Sequence, residues 1–342
     1  MDKIINKMKK TDLLKALEIV KPGLANKEVV DQATSFAFLD GRVVTYNDEI
    51  SVSCPVPGLE IEGAVNAEVL YNYLKKIKKE DIQTEVTENE IILKTGRAKA
   101  GLVLQSEIKL PLKNIGGKKK WKDLPENFLK ALAMTVEVTE RDTAKPIVNS
   151  VHICKKGYVE ATDNYRFLRY EVDTLDLPSV LLPAMSVREV LKFKPERVDI
   201  GKGWLFFQTK DGAELACRFI EDPFPDASGV LNKKGQTITF PKTIIDIIDR
   251  AQVFTQADSK YNEHIKVILK DKRIRFESKS NVGRFEETAN IHWEGNLVFT
   301  IAPILLKGIL EETKEGILDG DQLLMFEGEN WKYVAMLIKG EM

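Results

Sequence analysis

Long apolar runs and closely spaced cysteines are both missing from this sequence. No stretch has the roughly 18 consecutive apolar residues that a membrane-spanning helix requires. The three cysteines, Cys54, Cys154 and Cys217, are odd in number and far apart, which argues against a disulfide framework and against a structural zinc site. Each lies in a strand-like run, so we expect buried thiols in a protein of the reducing cytoplasm.

An excess of charge of either sign is also missing. The chain has 51 lysine and arginine residues against 52 aspartate and glutamate residues, which gives a formal net charge of −1. A protein that simply coats nucleic acid is usually basic overall, and this balance argues against that class. It still permits DNA binding if positive and negative residues lie on opposite faces of the molecule.

Motifs of the common enzyme classes are missing as well. The sequence has no phosphate-binding loop, no dinucleotide-binding glycine pattern, no HExxH metal motif and no serine in a nucleophile elbow. Its three histidines, His152, His264 and His292, fall in separate strand-like runs. We therefore expect no catalytic residue, no metal site and no cofactor. An enzyme with an unrecognised site is kept as an alternative.

What the sequence does contain is a threefold internal repeat that spans almost all of its 342 residues. In each repeat an amphipathic helix is followed by alternating strands, a second helix and further strands. The second helices begin near Ala67, Met185 and Pro303, which are evenly spaced along the chain. This pattern predicts three α+β domains, 1–117, 118–228 and 229–342, each with two helices against an antiparallel sheet.

Local signals place the helices and one hairpin of these repeats. Asn66 is predicted to cap one helix, and Ser186 with Glu189 to form a capping box at another. The dipeptide Asp40-Gly41 predicts a tight turn between strands 35–39 and 42–46. Apolar residues at helical spacing predict first helices at 11–20, 125–135 and 241–252, and second helices at 67–79, 186–194 and 303–312.

Basic residues recur on the predicted helices of successive repeats. A cationic surface of this kind can contact phosphates without reading bases. No aromatic residue is interleaved with the lysines, so a stacking platform for single strands is not expected. In the helix 67–79, the predicted apolar stripe is Val69, Leu70, Tyr73, Leu74 and Ile77. The residues that we expect to face DNA are Lys7, Lys10, Lys75, Lys79, Lys130, Arg141, Arg188 and Lys192.

Two short motifs carry a resemblance to a known family. Residues 161–167 read Ala-Thr-Asp-Asn-Tyr-Arg-Phe in the second repeat, and residues 224–226 read Phe-Pro-Asp before the third. The first motif resembles Ala-Thr-Asp-Gly-His-Arg-Leu of the bacterial DNA polymerase III beta subunit, the sliding clamp, and the second resembles the Phe-Pro-Asp of that family. Their positions within three equal repeats make the resemblance more specific than either motif alone.

The resemblance implies a chain that closes into a ring as a head-to-tail homodimer. The ring would encircle duplex DNA without sequence preference and would bind peptides of a replicative DNA polymerase and a clamp loader in a hydrophobic pocket. By the same resemblance, Val253 and Phe254 lie in the dimer interface. Carried over by position, the pocket comprises Val148, Thr162, Asn164, Tyr165, Arg166, Phe167, Pro225, Val230, Met336 and Ile338.

Several positions depart from the family and leave other interpretations open. Asn164 replaces the family glycine, which a turn with positive φ tolerates. Tyr165 and Phe167 are bulkier than the usual residues, so the preferred peptide is expected to differ. A structural ion pair is the alternative role for Arg166. Core packing is the alternative role for Val148, Phe167, Val230, Val253 and Phe254. For the whole chain, the alternative is a β-rich, three-domain interaction scaffold that never closes a ring.

Overall fold

The computed structural model describes residues 5–115, 117–140, 143–173, 175–255 and 257–339. The chain forms two compact units, and neither coincides with a single repeat. The first unit consists of Met1–Leu129 and Met185–Ile220, and the second of Lys130–Ala184 and Glu221–Met342. The sequence of the middle repeat is thus shared between the two units.

Secondary structure recurs three times in one order, which is one strand, one helix, four strands, one helix and three strands. This order agrees with the predicted α+β class. The helices are α1 (Lys10–Val20), α2 (Ala67–Lys76), α3 (Phe128–Val136), α4 (Ala184–Phe193), α5 (Ser228–Leu231), α6 (Ile244–Gln252) and α7 (Lys307–Glu312). Short 3₁₀ helices occupy Lys21–Gly23, Leu112–Asn114 and Pro303–Leu305.

The strands of the described residues pair antiparallel throughout. They are β1 (Ile5–Lys9), β2 (Ser35–Leu39), β3 (Arg42–Tyr46), β4 (Ile50–Pro55), β5 (Gly63–Asn66), β6 (Asp81–Val86), β7 (Glu90–Thr95), β8 (Ala98–Val103), β9 (Lys122–Asp123), β10 (Ser150–Cys154), β11 (Tyr158–Thr162), β12 (Arg166–Glu171), β13 (Val180–Pro183), β14 (Arg197–Gly201), β15 (Trp204–Gln208), β16 (Glu214–Arg218), β17 (Gln236–Thr239), β18 (Ile265–Lys270), β19 (Arg273–Ser280), β20 (Gly283–Asn290), β21 (Leu297–Ile301), β22 (Glu315–Asp319), β23 (Leu323–Glu327), β24 (Trp331–Met336) and β25 (Ile338–Lys339).

Each unit has one eight-stranded sheet that joins strands of two repeats. In the first unit the order is β5-β2-β3-β4-β16-β15-β14-β9, and in the second it is β13-β10-β11-β12-β24-β23-β22-β17. The joints are β4 with β16, where Ser53 faces Glu214, and β12 with β24, where Phe167 faces Val334. The smaller sheets are β1-β6-β7-β8 in the first unit and β20-β19-β18-β21-β25 in the second.

The large sheet of the first unit is buried on both faces. Helix α1 packs on β3 and β4, and α2 packs on β2 and β5. The other face is covered by the segment 108–121, whose Trp121 and Ile115 pack on a cluster around Trp204 and Phe206. Strands β2 and β3 therefore show nearly continuous burial.

The basic run 118–120 lies within this covering segment. Lys119 lies with its ammonium group 3.5 Å from the centre of the Phe206 ring and donates to the Ile115 carbonyl at 2.7 Å. Burial lowers the pKa of Lys119. The Lys119 ammonium group therefore packs against the Phe206 ring instead of extending into solvent.

In the second unit, α6 packs on β18, β19 and β20, and α5 packs on β24. The apolar side of α6 is closed because Ile244 and Ile248 are fully buried, as are Phe276 and Phe299 of the sheet beneath it. Ile244 and Ile248 recur at the helical spacing from which this helix was predicted, so sequence periodicity and burial agree.

Predictions of turns and caps were confirmed at two places and wrong at a third. The hairpin β2–β3 turns at Asp40 and Gly41, which have φ of +51° and +71°, as the Asp-Gly signal predicts. Asn66 caps α2 by accepting the Val69 N–H at 3.0 Å. The capping box at Ser186 is wrong because α4 already begins at Ala184, directly after β13, so Ser186 lies within its first turn.

Helix α2 also differs from its prediction in length and in one face. It ends at Lys76 because Ile77 is extended (φ −69°, ψ 128°) and leads the chain into β6. Val69, expected in the apolar stripe, is 55% exposed, whereas Leu70 and Leu74 are buried as predicted.

Candidate functional site

The motif 161–167 forms a tight turn between β11 and β12 in the second unit. The Asp163 carboxylate accepts the N–H groups of Tyr165 and Arg166 at 3.1 and 3.0 Å, so it binds its own turn. Asn164 has φ of +74°, in the left-handed region that asparagine tolerates. The Thr162 hydroxyl donates to the Arg166 carbonyl at 2.8 Å and closes the turn. The glycine of the resembled motif is therefore not needed for this conformation.

A buried arginine connects this turn to two other segments. Arg166 donates from Nε to Asp163 at 2.9 Å, from Nη1 to the Ile304 carbonyl at 2.8 Å and from Nη2 to the Glu137 carbonyl at 2.7 Å. Its side chain is 8% exposed, and that of Asp163 is fully buried. This is the structural ion pair foreseen as the alternative role of Arg166, and it fixes the turn against the segments after α3 and before α7.

Two tyrosines stack beside the turn. The rings of Tyr165 and Tyr261 lie 4.5 Å apart with 18° between their planes. The Tyr261 hydroxyl donates to Asp163 at 2.9 Å, and burial together with nearby carboxylates raises its pKa, which keeps it a neutral donor. Tyr165 stays 45% exposed, and its carbonyl accepts the Met336 N–H at 2.9 Å. The result is an aromatic surface held in place by the buried ion pair.

Phe167 belongs to an apolar cluster rather than to an open surface. It is 7% exposed and packs with Leu231, Met325 and Val334, beneath the partly buried Phe224. The Phe224 ring lies 6.2 Å from that of Phe167. The core role foreseen for Phe167 is thus the one observed, and Phe224 of the Phe-Pro-Asp motif covers it.

A charged ladder crosses three strands next to this cluster. His152, Glu160 and Arg169 face one another on β10, β11 and β12. His152 Nδ1 lies 2.8 Å from one Glu160 oxygen, and Arg169 Nε donates to the other at 2.7 Å. The His152 ring stacks on Phe224 at 4.7 Å with a 19° interplanar angle. The ladder therefore positions the ring that covers Phe167.

The other predicted pocket residues divide by exposure. Val148 is buried, and Thr162 is buried within its turn. Pro225 is exposed. Val230 on α5, Met336 at the end of β24 and Ile338 on β25 are large apolar side chains left in solvent. Together with Tyr165, these last three are the exposed apolar members of the predicted pocket.

Sequence reasoning missed Tyr261 and the covering role of Phe224. Phe224 carried a signal, since it opens the Phe-Pro-Asp motif. Tyr261 carried none, because it is a single aromatic residue in the polar stretch 256–264, far along the chain from Tyr165.

The predicted DNA-facing residues lie on several elements. Lys10 begins α1 and donates to the Ile77 carbonyl at 3.2 Å, which brings it to the end of α2. Lys130 on α3 is 3.9 Å from Glu312, and Lys192 on α4 is 2.7 Å from Glu189. The remaining positions are Lys7 on β1, Lys75 on α2, Lys79 just beyond α2, Arg188 on α4 and Arg141, which is outside the described residues.

The two predicted interface residues lie at the end of α6. Val253 is 65% exposed, directly after the helix. Phe254 is half-buried and stacks on Phe285 of β20 at 6.1 Å. Val282, directly before β20, is also exposed. An apolar surface thus adjoins β20, an edge strand of its sheet.

The enzyme alternative would require a cluster of reactive side chains in a cleft. Within the described residues, no group of three or more His, Cys, Asp or Glu side chains is arranged to hold a metal ion. A cavity of about 880 Å³ in the first unit is lined by residues of α1 and α4, which include Lys15, Lys192, Asp12 and Glu189, and by the buried Cys54. Burial raises the pKa of Cys54, which disfavours a reactive thiolate. Among the same described residues, none of the helices combines the length and apolar character that crossing a bilayer demands.

No protein-family model and no curated protein matches this sequence. Solved structures match the fold along nearly its whole length. The DnaN sliding clamp (DNA polymerase III subunit beta) of Pseudomonas aeruginosa bound to griselimycin has a TM-score of 0.83 at 16% identity, covering 99% of this chain and 100% of the other. The Bacillus subtilis DNA polymerase sliding clamp gives 0.84 at 18%, covering 99% and 100%. The DNA polymerase III beta subunit of Thermotoga maritima gives 0.79 at 18%, covering 98% and 100%. The chain therefore has the sliding-clamp fold that the two motifs implied.

Proposed function

We propose that this chain is a DNA sliding clamp, a non-catalytic processivity factor that encircles duplex DNA and tethers replication proteins in the cytoplasm. The observation that carries the proposal is the likeness to bacterial clamps over both full lengths, with TM-scores near 0.8. The motif turn at 161–167 and the Phe-Pro-Asp segment add to it, because they meet in one apolar site.

The ring is proposed to be a head-to-tail homodimer of three-domain chains, with domains 1–117, 118–228 and 229–342. Strands β8 and β20 each leave one edge unpaired within the described residues, and such edges can add a strand from another chain. Both edges are open to main-chain pairing, so we propose that β8 of one chain pairs with β20 of the next, beside Val253.

Duplex DNA is proposed to contact the basic helix residues without sequence preference. A ring is retained by topology, so a chain of net charge −1 can serve with few phosphate contacts. The candidates are Lys7, Lys10, Lys75, Lys79, Lys130, Arg188 and Lys192, with Arg141 outside the described residues.

Partner peptides from a replicative polymerase and a clamp loader are proposed to bind the second unit at the exposed apolar side chains Tyr165, Val230, Met336 and Ile338. A short hydrophobic motif fits such a surface, which has a rigid aromatic stack and few polar groups. The Pseudomonas aeruginosa clamp binds griselimycin, which supports a ligand site on this fold.

Two measurements test the ring. Light scattering across a dilution series should give twice the 38.7 kDa chain mass. Protein loaded on a nicked circular plasmid should stay bound through gel filtration at high salt and should be released when the plasmid is linearised. A monomer that is never retained on circles would support the scaffold alternative.

The peptide site has a separate test. Tyr165→Ala and Met336→Ala should each weaken binding of a hydrophobic peptide from the C-terminus of a bacterial replicative polymerase by about tenfold, the effect of losing roughly 1.4 kcal/mol of contact energy. Val29→Ala, an exposed apolar change in the first unit, is the matched control. Peptide affinity unchanged by both pocket variants would remove this surface from the proposal. Tyr165 is preferred to the buried Phe167, whose truncation would disturb the core.

A further inference from the structure

An aromatic residue lies among the lysines of α1 and α2, where the sequence pattern suggested none. The ring of Tyr71 on α2 is half-buried, and two ammonium groups approach it. Lys21, directly after α1, lies 4.8 Å from the ring centre, and Lys75, one turn further along α2, lies 5.3 Å from it. The two cations come from different helices and converge on one ring.

The local charge balance leaves both lysines available to an anion. Neither Lys21 nor Lys75 forms an ion pair with any residue in the described ranges, and both are exposed. The carboxylate nearest the ring is Glu18 of α1, which accepts the Tyr71 hydroxyl at 3.2 Å. Glu18 is thus held by the hydroxyl edge of the ring.

The ring restricts where the two ammonium groups can be. A lysine side chain on an open helix surface samples many rotamers, and holding it near a phosphate costs conformational entropy. Contact with the negatively polarised ring face reduces that freedom before a ligand arrives. Two positioned cations without a counter-ion match a phosphodiester, which carries one negative charge shared by its oxygens.

We infer that Lys21, Tyr71 and Lys75 form a contact for the sugar-phosphate backbone of duplex DNA, in which the tyrosine ring holds two ammonium groups toward one phosphate. The inference rests on the proposed clamp function and adds a positioning residue to its DNA surface. The ring serves as a support for the lysines and is not a platform for unstacked bases.

Fluorescence anisotropy with a labelled 30-base-pair duplex, measured at several salt concentrations, tests this contact. The double variant Lys21→Gln with Lys75→Gln should reduce the salt dependence of log K by about 0.9, the value for one lost phosphate contact, and each single variant should reduce it by less. Lys202→Gln removes the same charge from an exposed turn of the first unit and should leave both affinity and slope unchanged.

The decisive variants change no formal charge. Tyr71→Leu keeps an apolar side chain but removes the aromatic face, and it should lower duplex affinity about threefold. Tyr71→Phe keeps the ring face and loses only the bond to Glu18, so it should bind more tightly than Tyr71→Leu. Circular dichroism melting checks that each variant is folded, and Tyr71→Met is the substitute if Tyr71→Leu is not.

The outcomes separate this contact from the clamp proposal. Equal affinity of Tyr71→Leu and wild type, or an equal loss in Lys202→Gln, overturns the contact even if the protein is retained on circular DNA. A single strand of equal length that binds more tightly than the duplex, with the preference lost in Tyr71→Leu, overturns it in favour of base stacking. Failure of the wild type to be retained on circular DNA contradicts the clamp itself.

Discussion

Replacing Arg166 by alanine should lower the unfolding free energy of the second unit by about 3–5 kcal/mol, the usual penalty for breaking a buried ion pair. The variant leaves the fully buried Asp163 carboxylate with three donors, from Tyr261 and two backbone N–H groups, but with no positive charge beside it. The carbonyls of Glu137 and Ile304 also lose their donors. The upper part of the range is therefore expected.

Urea unfolding followed by circular dichroism measures this loss. Arg275→Ala is the matched control in the same unit, since it breaks a partly exposed pair with Glu277 and should cost far less. The double variant Asp163→Asn with Arg166→Met removes both charges and should recover part of the stability lost in Arg166→Ala. A loss in Arg166→Ala no larger than in Arg275→Ala would refute the reasoning, because it would mean that the buried pair contributes nothing.

Two further changes have definite signs. Asn164→Gly should leave the melting temperature nearly unchanged, whereas Asn164→Ala should cost about 1 kcal/mol because φ of +74° penalises a β-carbon without asparagine's local bonds. Equal melting of the two variants would contradict this account of the turn. Burial raises the pKa of Tyr333 above its usual 10.0, so the unfolded chain ionises first and stability should fall as pH rises past 10. Tyr333→Phe should flatten that fall in denaturant midpoints between pH 8 and 11, and an unchanged slope would assign the loss to other groups.

Turn and capping interactions were predictable from the sequence because each depends on residues only a few positions apart. Asp40-Gly41 determines its own turn, since both φ angles depend only on those residues. Asn66 caps α2 through a bond to a residue three positions later. Asp163 binds its own turn in the same local way, through the N–H groups two and three positions later.

Long-range packing was not predictable in the same way. The stack of Tyr165 on Tyr261 depends on two segments that only tertiary folding brings together. The packing of Trp121 and Ile115 on a sheet has no local signal either, because the lysines between them are typical of a solvated connection. The predicted capping box at Ser186 was wrong because β13 runs directly into α4, so the helix begins before Ser186. The Ser-x-x-Glu rule considers only the residues of the motif and takes no account of a preceding strand.

The strand pairs that join repeats have a consequence for dividing this chain. Ser53 faces Glu214, and Phe167 faces Val334, so each large sheet is completed by residues synthesised long after its first strands. A gene cut at the repeat boundaries would yield fragments with β4 or β12 as bare edges, which invite self-association. Mixing the fragments should restore solubility, whereas any one expressed alone should aggregate. An origin by repeat duplication would therefore require that the strand pairs β4–β16 and β12–β24 be preserved together with the repeats.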